Sequence, residues 1–164
     1  MKALVVYESF WGNTAAVARA IAEGLGPDAR AVVTSDATPA LVADADLVVV
    51  GAPVLGFRLP TEEMRETIGK GMSGSPAPDL SHPSLRSWLA GLSRHGGRYA
   101  AFETRVRMSP GGDTPAIGKE MERAGFRAVA KARRFIVTGK YGPLRRGELE
   151  LAKQWGAELA QAME

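Results

Sequence analysis

The sequence predicts an α/β fold: a doubly wound, five-stranded parallel sheet in the order 2-1-3-4-5, with helices on both faces. Three observations carry this. Leu47-Val48-Val49-Val50 is a continuous apolar run, as in a strand covered on both faces. Strand-like and helix-like segments alternate along the chain, which implies parallel strands joined by helical crossovers. Val5-Val6-Tyr7 runs straight into the polar turn Glu8-Ser9-Phe10-Trp11-Gly12-Asn13-Thr14 and then into a helical pattern. Sheets of this kind keep ligands beyond the carboxyl ends of their strands, where the winding reverses. At 164 residues and 45% hydrophobic, the chain fits a single domain over 1–164 with a full core.

The elements follow in order. Lys2–Tyr7 is the first strand and Thr14–Leu25 the first helix, with Gly26 as a left-handed cap and Pro27 as a stop. Arg30–Thr34 is a short second strand, and Pro39–Ala43 has room for about one helical turn. Ala45–Gly51 is the third strand. Thr61 can cap a helix opening with Glu62 and Glu63, but Gly69, Gly71, Gly74, Pro76 and Pro78 then rule out a regular element up to residue 83. Such a long excursion reads either as a lid or partner surface, or as a loose insertion. Ser84–Leu92 is helical, with Leu85, Trp88, Leu89 and Leu92 on one face. Gly97–Glu103 is the fourth strand. Thr114–Ala124 is a helix with Asp113 as its cap and Pro115 in its first turn. Ala130–Gly139 is the fifth strand. Arg146–Met163 is an amphipathic helix that turns Leu149, Ala152, Trp155, Leu159 and Met163 inward.

The turn over residues 9–14 has two readings. A helix N-terminus carries partial positive charge and unpaired N–H groups, so with Ser9, Asn13 and Thr14 it suits a terminal phosphate. Ser, Asn and Thr also cap ordinary strand–helix turns. Neither G-x-x-x-x-G-K-[ST] nor G-x-G-x-x-G is present, so the triphosphate and dinucleotide fingerprints are missing. The chain has no cysteine, which excludes disulfides, thiolate chemistry and Cys-ligated metals. No nucleophile signature and no cluster of metal ligands appears, so no catalytic residue and no metal site is predicted. His82 and His95 stand alone in sequence and read as surface residues. With neither a signal peptide nor a long apolar helix, a cytoplasmic location is expected.

At this point the N-terminal segment resembles the flavodoxin family. The family signature asks for two apolar residues, an aromatic, a hydroxyl, a small residue, a threonine, an alanine and an apolar residue at fixed gaps. Val5, Val6, Tyr7, Ser9, Gly12, Thr14, Ala18 and Ile21 meet every constrained position. The resemblance implies that residues 9–14 hold the phosphate of flavin mononucleotide (FMN), bound non-covalently. It also implies that three loops, 9–14, 52–60 and 104–113, clamp the cofactor together. The implied set is Ser9, Phe10, Trp11, Gly12, Asn13 and Thr14 from the first loop. Pro53, Val54, Leu55, Gly56 and Phe57 come from the second. Thr104 and Arg105 come from the third.

Two departures from that family stand out. Its electron carriers are acidic, whereas this chain carries a net charge of +3. Its third loop often lays an aromatic over the ring, whereas residues 104–113 contain none. Arg105 and Arg107 would instead bring positive charge near the pyrimidine end, or point into solvent. Positive charge there favours the anionic reduced flavin and raises the potential.

Electron transfer through FMN is therefore the expected function, with a redox partner protein or a small-molecule electron acceptor. An FMN-dependent quinone or porphyrinogen oxidoreductase of the same fold is one alternative. A flavin-free binding or regulatory protein is the other, and an absorption spectrum of the purified protein separates it from both. From Arg123 to Arg146 the chain carries Arg127, Lys131, Arg133, Arg134, Lys140 and Arg145 as well, with no acid. This stretch reads as solvated edges or as a basic docking face. Nucleic acid is not expected, because no aromatic platform or DNA-binding motif accompanies the charge.

Overall fold

The computed structural model describes residues Met1–Glu164. Its strands and helices alternate as expected: β1 (Ala3–Tyr7), α1 (Asn13–Leu25), β2 (Ala29–Val33), α2 (Pro39–Asp44), β3 (Leu47–Pro53), α3 (Glu62–Lys70), α4 (Leu85–Ala90), β4 (Gly97–Val106), α5 (Thr114–Arg123), β5 (Phe126–Ala128), β6 (Arg133–Val137) and α6 (Glu148–Ala162). All pairings are parallel, in the order β2-β1-β3-β4-β5.

The fifth position differs from expectation. Two short strands share it: β5 pairs with β4 at 97–99, and β6 pairs with β4 at 102–106. Only Ala100 and Ala101 separate the two paired stretches on β4, against residues 129–132 on the other side. The extra residues bulge out, so one continuous strand over 130–139 cannot form. Other boundaries shift by a few residues, and β4 runs on to Val106.

The apolar run of β3 shows why the sheet is buried. Leu47 and Val49 point to one face and Val48 and Val50 to the other, and all four are fully buried. The first face packs on α1 and α6 through Val17, Ile21, Trp155 and Leu159. The second packs on α2, α4 and α5 through Val42, Leu85, Leu89, Ile117 and Met121. Helices α1 and α6 meet backbone to backbone. A Cβ on Gly24 would sit 1.9 Å from the Lys153 carbonyl oxygen, and one on Gly156 would sit 2.2 Å from that of Ile21. Only glycine permits this approach. Ala152, Trp155 and Leu159 point inward as expected, but Leu149 is exposed, lying in the first turn of α6 away from α1. No helix is long and apolar enough to cross a membrane.

Candidate functional site

The polar turn after β1 opens α1 without a side-chain cap. Gly12 is the N-cap residue at φ +92°, a left-handed conformation that suits glycine, and no side chain bonds the first turn from that position. Ser9 Oγ instead accepts the Ala15 N–H at 3.2 Å. The amides of Asn13 and Thr14 head the helix, where no carbonyl four residues back can reach them. Thr14 Oγ1 lies 2.8 Å from Thr104 Oγ1, and both threonines are buried. This bond joins the first loop directly to the end of β4.

The second loop is a tight reversal. Leu55 N–H donates to Arg58 O, and Arg58 N–H returns to Leu55 O. Gly56 and Phe57 at its centre have φ of 56° and 70°, the signs that a type I′ turn requires at both positions. Phe57 is an uncommon occupant of that conformation, and the residue is 60% exposed. The Gly112 N–H donates to Phe57 O, so the third loop is tied to the tip of the second.

These loops enclose a crevice of about 340 Å³ at the carboxyl edge of the sheet. It is lined by Ser9, Phe10, Trp11, Asn13, Thr14, Pro53, Val54, Leu55, Gly56, Phe57, Thr104 and Arg105. Every residue expected at the site is thus brought together except Gly12, which stays at the helix cap. Val106, Val137 and Lys140 complete the lining and escaped the sequence reading. Lys140 lies in the loop after β6. Its neighbour Tyr141 accepts a hydrogen bond from Asn13 Nδ2 at 3.1 Å and packs edge-on against Trp11 with ring centroids 4.8 Å apart. A fourth loop therefore borders the site. Other depressions lie elsewhere. One, at the amino edge by Lys2, Asp28 and Asp44, is lined by exposed charges, and another runs between α2 and α4 beside Trp88. Neither of these two has loop amides or hydroxyls converging at a helix start.

A buried charge network underlies the crevice. Glu8 is fully buried and bonded by Arg65 of α3. Burial pushes its carboxyl up to about 7, against the pull of Arg65. Arg105 does not reach solvent: its Nη1 bonds Glu103 Oε2 at 2.8 Å and Gly111 O at 2.7 Å, while its Nε has no protein partner. The matching charge of Glu103 therefore offsets the cation expected at the pyrimidine end. Glu103 Oε1 accepts the N–H groups of Asp113 and Thr114, and so it caps α5. Asp113 was expected in that role but makes no side-chain cap bond. Its carboxyl oxygens are buried without protein partners, and burial, then Glu103 and Glu8, raise its pKa well above the ordinary value.

His82 also departs from expectation. It is 3% exposed, and its Nε2 accepts the Ser9 N–H at 3.3 Å. Residues 73 apart in sequence meet here, and no local pattern announces such a contact. His95 is exposed as expected. Of the basic stretch, Arg123, Arg133 and Arg145 are paired with Glu120, Glu158 and Glu148. No cluster of three His, Asp or Glu side chains could hold a metal ion.

No protein-family model matches the sequence, and no curated protein matches it either. Solved structures do. A flavodoxin from the domain Archaea is 20% identical with a TM-score of 0.68, covering 99% of each chain. Flavodoxin 1 from Bacillus cereus is 15% identical with a TM-score of 0.65, covering 98% of each chain. The rubredoxin:oxygen oxidoreductase of Desulfovibrio gigas is 17% identical with a TM-score of 0.61, and matches 99% of this chain over 36% of its own. Sheet order, layer arrangement and these full-length superpositions agree: the chain has the flavodoxin-like fold.

Proposed function

We propose that the protein binds FMN non-covalently in the carboxyl-edge crevice and passes electrons through it. The observation that carries this reading is the crevice's polarity. One end has the start of α1, where Gly12 supplies no side-chain cap, with Ser9, Asn13 and Thr14 beside it; the other has the apolar surfaces of Val54, Leu55 and Phe57. A phosphate suits the first end and a flat heteroaromatic ring the second. The amides of Asn13 and Thr14 would hold the phosphate with the Ser9 hydroxyl hydrogen and Lys140. Pro53, Val54, Leu55 and Phe57 would line the ring, and the unpartnered Arg105 Nε supplies a donor near it. The bound flavin would supply the redox chemistry, while the chain positions it and controls access.

The rim indicates the partner. Loops 54–60, 104–112 and 138–147 carry the exposed cations Arg58, Arg107, Lys140 and Arg146 and no acid, while Arg105 is buried on Glu103 and Arg145 is paired with Glu148. Phe57, Val106 and Met108 are exposed among them. An acidic protein surface or an anionic acceptor fits such a rim. The FMN-dependent oxidoreductase reading is favoured by one observation: no aromatic from residues 104–113 covers the ring end, which leaves room for a small acceptor such as a quinone.

FMN added to flavin-free protein should lose fluorescence and raise the melting temperature through ligand linkage. Riboflavin, lacking the phosphate, should bind much more weakly. If neither binds at high micromolar concentration, the redox reading fails.

A further inference from the structure

Residues 76–82 form a strap across the outside of the 8–14 turn. Trp11 Nε1 donates to Pro76 O at 3.1 Å, Asp79 N–H to Phe10 O at 2.8 Å, and Ser9 N–H to His82 Nε2 at 3.3 Å. Arg65 anchors the strap from below, donating to both the Glu8 carboxylate and the His82 carbonyl. Two of these contacts depend on a proton: the one to His82, and the Arg65–Glu8 pair, whose carboxyl burial pushes up to about 7. An imidazole nitrogen that accepts cannot carry a hydrogen, so the ring is neutral with its proton on Nδ1.

We propose that neutral His82 is a positioning residue for phosphate recognition: its Nε2 fixes the Ser9 amide and thereby holds the 9–14 turn in the shape that receives the flavin phosphate. The role rests on the FMN reading and refines it. His82 does not line the crevice and reaches it only through the Ser9 amide, so its effect is confined to the phosphate end.

The groups around the ring decide when it stays neutral. Asp79 Oδ1 lies 3.8 Å from Nδ1 on the same segment and favours the cation. Arg65 of α3 opposes it, with Glu62 and Glu8 beyond the guanidinium, each on its other side. Burial acts in the same sense as Arg65 and is the largest influence, so His82 lies below its ordinary pKa. Protonation would set an Nε2–H against the Ser9 N–H, two donors face to face, and the turn would have to move.

FMN affinity should therefore fall on acidification, with riboflavin affinity flat. The phosphate itself gains a proton near pH 6 and the Glu8 carboxyl near 7, so the comparison is with a variant that keeps both. His82→Gln can present an amide oxygen close to Nε2 but cannot titrate. Between pH 8 and 5.5 the wild-type protein should lose more FMN affinity than His82→Gln, by up to about tenfold, the limit that an imidazole below its ordinary pKa of 6.5 allows at pH 5.5. Superimposable profiles would overturn the proposal. A second measurement needs neither flavin nor variant: a ¹⁵N–¹H correlation spectrum of the wild-type imidazoles. It should show His82 protonated at Nδ1, with the Ser9 amide shift titrating alongside it. An Nε2–H tautomer would overturn the proposal. The expected tautomer in a protein that binds no flavin would instead overturn the FMN reading, and with it the phosphate role, while leaving the contact standing.

Discussion

Thr14 and Thr104 offer the sharpest test of how the first loop is joined to the sheet. Their hydroxyls lie 2.8 Å apart, each on a residue only 2% exposed. Thr14→Val or Thr104→Val keeps the side-chain volume and strands the surviving hydroxyl in a buried setting. Each single change should cost about 1–3 kcal/mol, the penalty for an unsatisfied buried polar group. The double variant removes both polar atoms and should lie close to wild type. The cycle should thus show a coupling about equal to the sum of the two single costs, about 2–6 kcal/mol. Urea titration of the four proteins measures this directly, and for a domain of this size each kcal/mol moves the melting temperature by about 2–4 °C. Additive single effects, or singles costing less than ~0.5 kcal/mol, would refute the reasoning. The pair has two hydroxyl hydrogens and uses one internally, so one remains for a ligand. Thr14→Ala should therefore weaken FMN by about 1.5–3 kcal/mol, as for a bond to a charged group, and riboflavin far less. Equal weakening of both flavins would mean that Thr14 only supports the helix start.

Phe57→Gly should relieve a left-handed backbone cost of about 1 kcal/mol, leaving stability equal or higher while flavin affinity falls. Loss of stability with unchanged affinity would remove Phe57 from the ring wall. Asp113 has a folded-state pKa raised above its unfolded value. Its contribution is fully present below the unfolded value of ~3.9 and is lost as pH rises through the folded one. Asp113→Asn cannot ionise, so its stability relative to wild type should be greater at pH 8 than at pH 5 by denaturant midpoint. An equal difference at both pH values would mean that the carboxylate is solvated in the fold.

The sheet was legible because its signals are local. Leu47–Val50 reads as a doubly covered strand, Gly26-Pro27 marks a helix end, and the turn after Tyr7 marks the ligand edge. The crevice lining was legible for the same reason, since Ser9–Thr14, Pro53–Phe57 and Thr104–Arg105 are each continuous stretches beside a strand end. What escaped depends on distant partners. His82 reads as a surface residue until the strap carries it beneath Ser9. Asp113 has the composition of a cap, but Glu103, ten residues away on β4, already occupies the α5 amides. The split of β5 from β6 arises from a mismatch in spacing against β4, which neither strand's own sequence displays. Lys140 reaches the site because its loop is held by Asn13 through the Tyr141 carbonyl.

The glycine crossing of α1 and α6 also has a consequence in time. Helix α1 bears the 9–14 turn at its head, yet α6, which covers it, is synthesised only after every strand of the sheet. At roughly 5–20 residues per second, α1 waits on the order of 10 s for its partner. Throughout that interval Val17, Ile21 and one whole side of the sheet lack their final cover. A nascent chain can assemble most strands early, but it cannot seal the side that supports the turn until translation has delivered Gly156 to Ile21. The crevice is thus a late product of synthesis, although its first loop is among the earliest residues made.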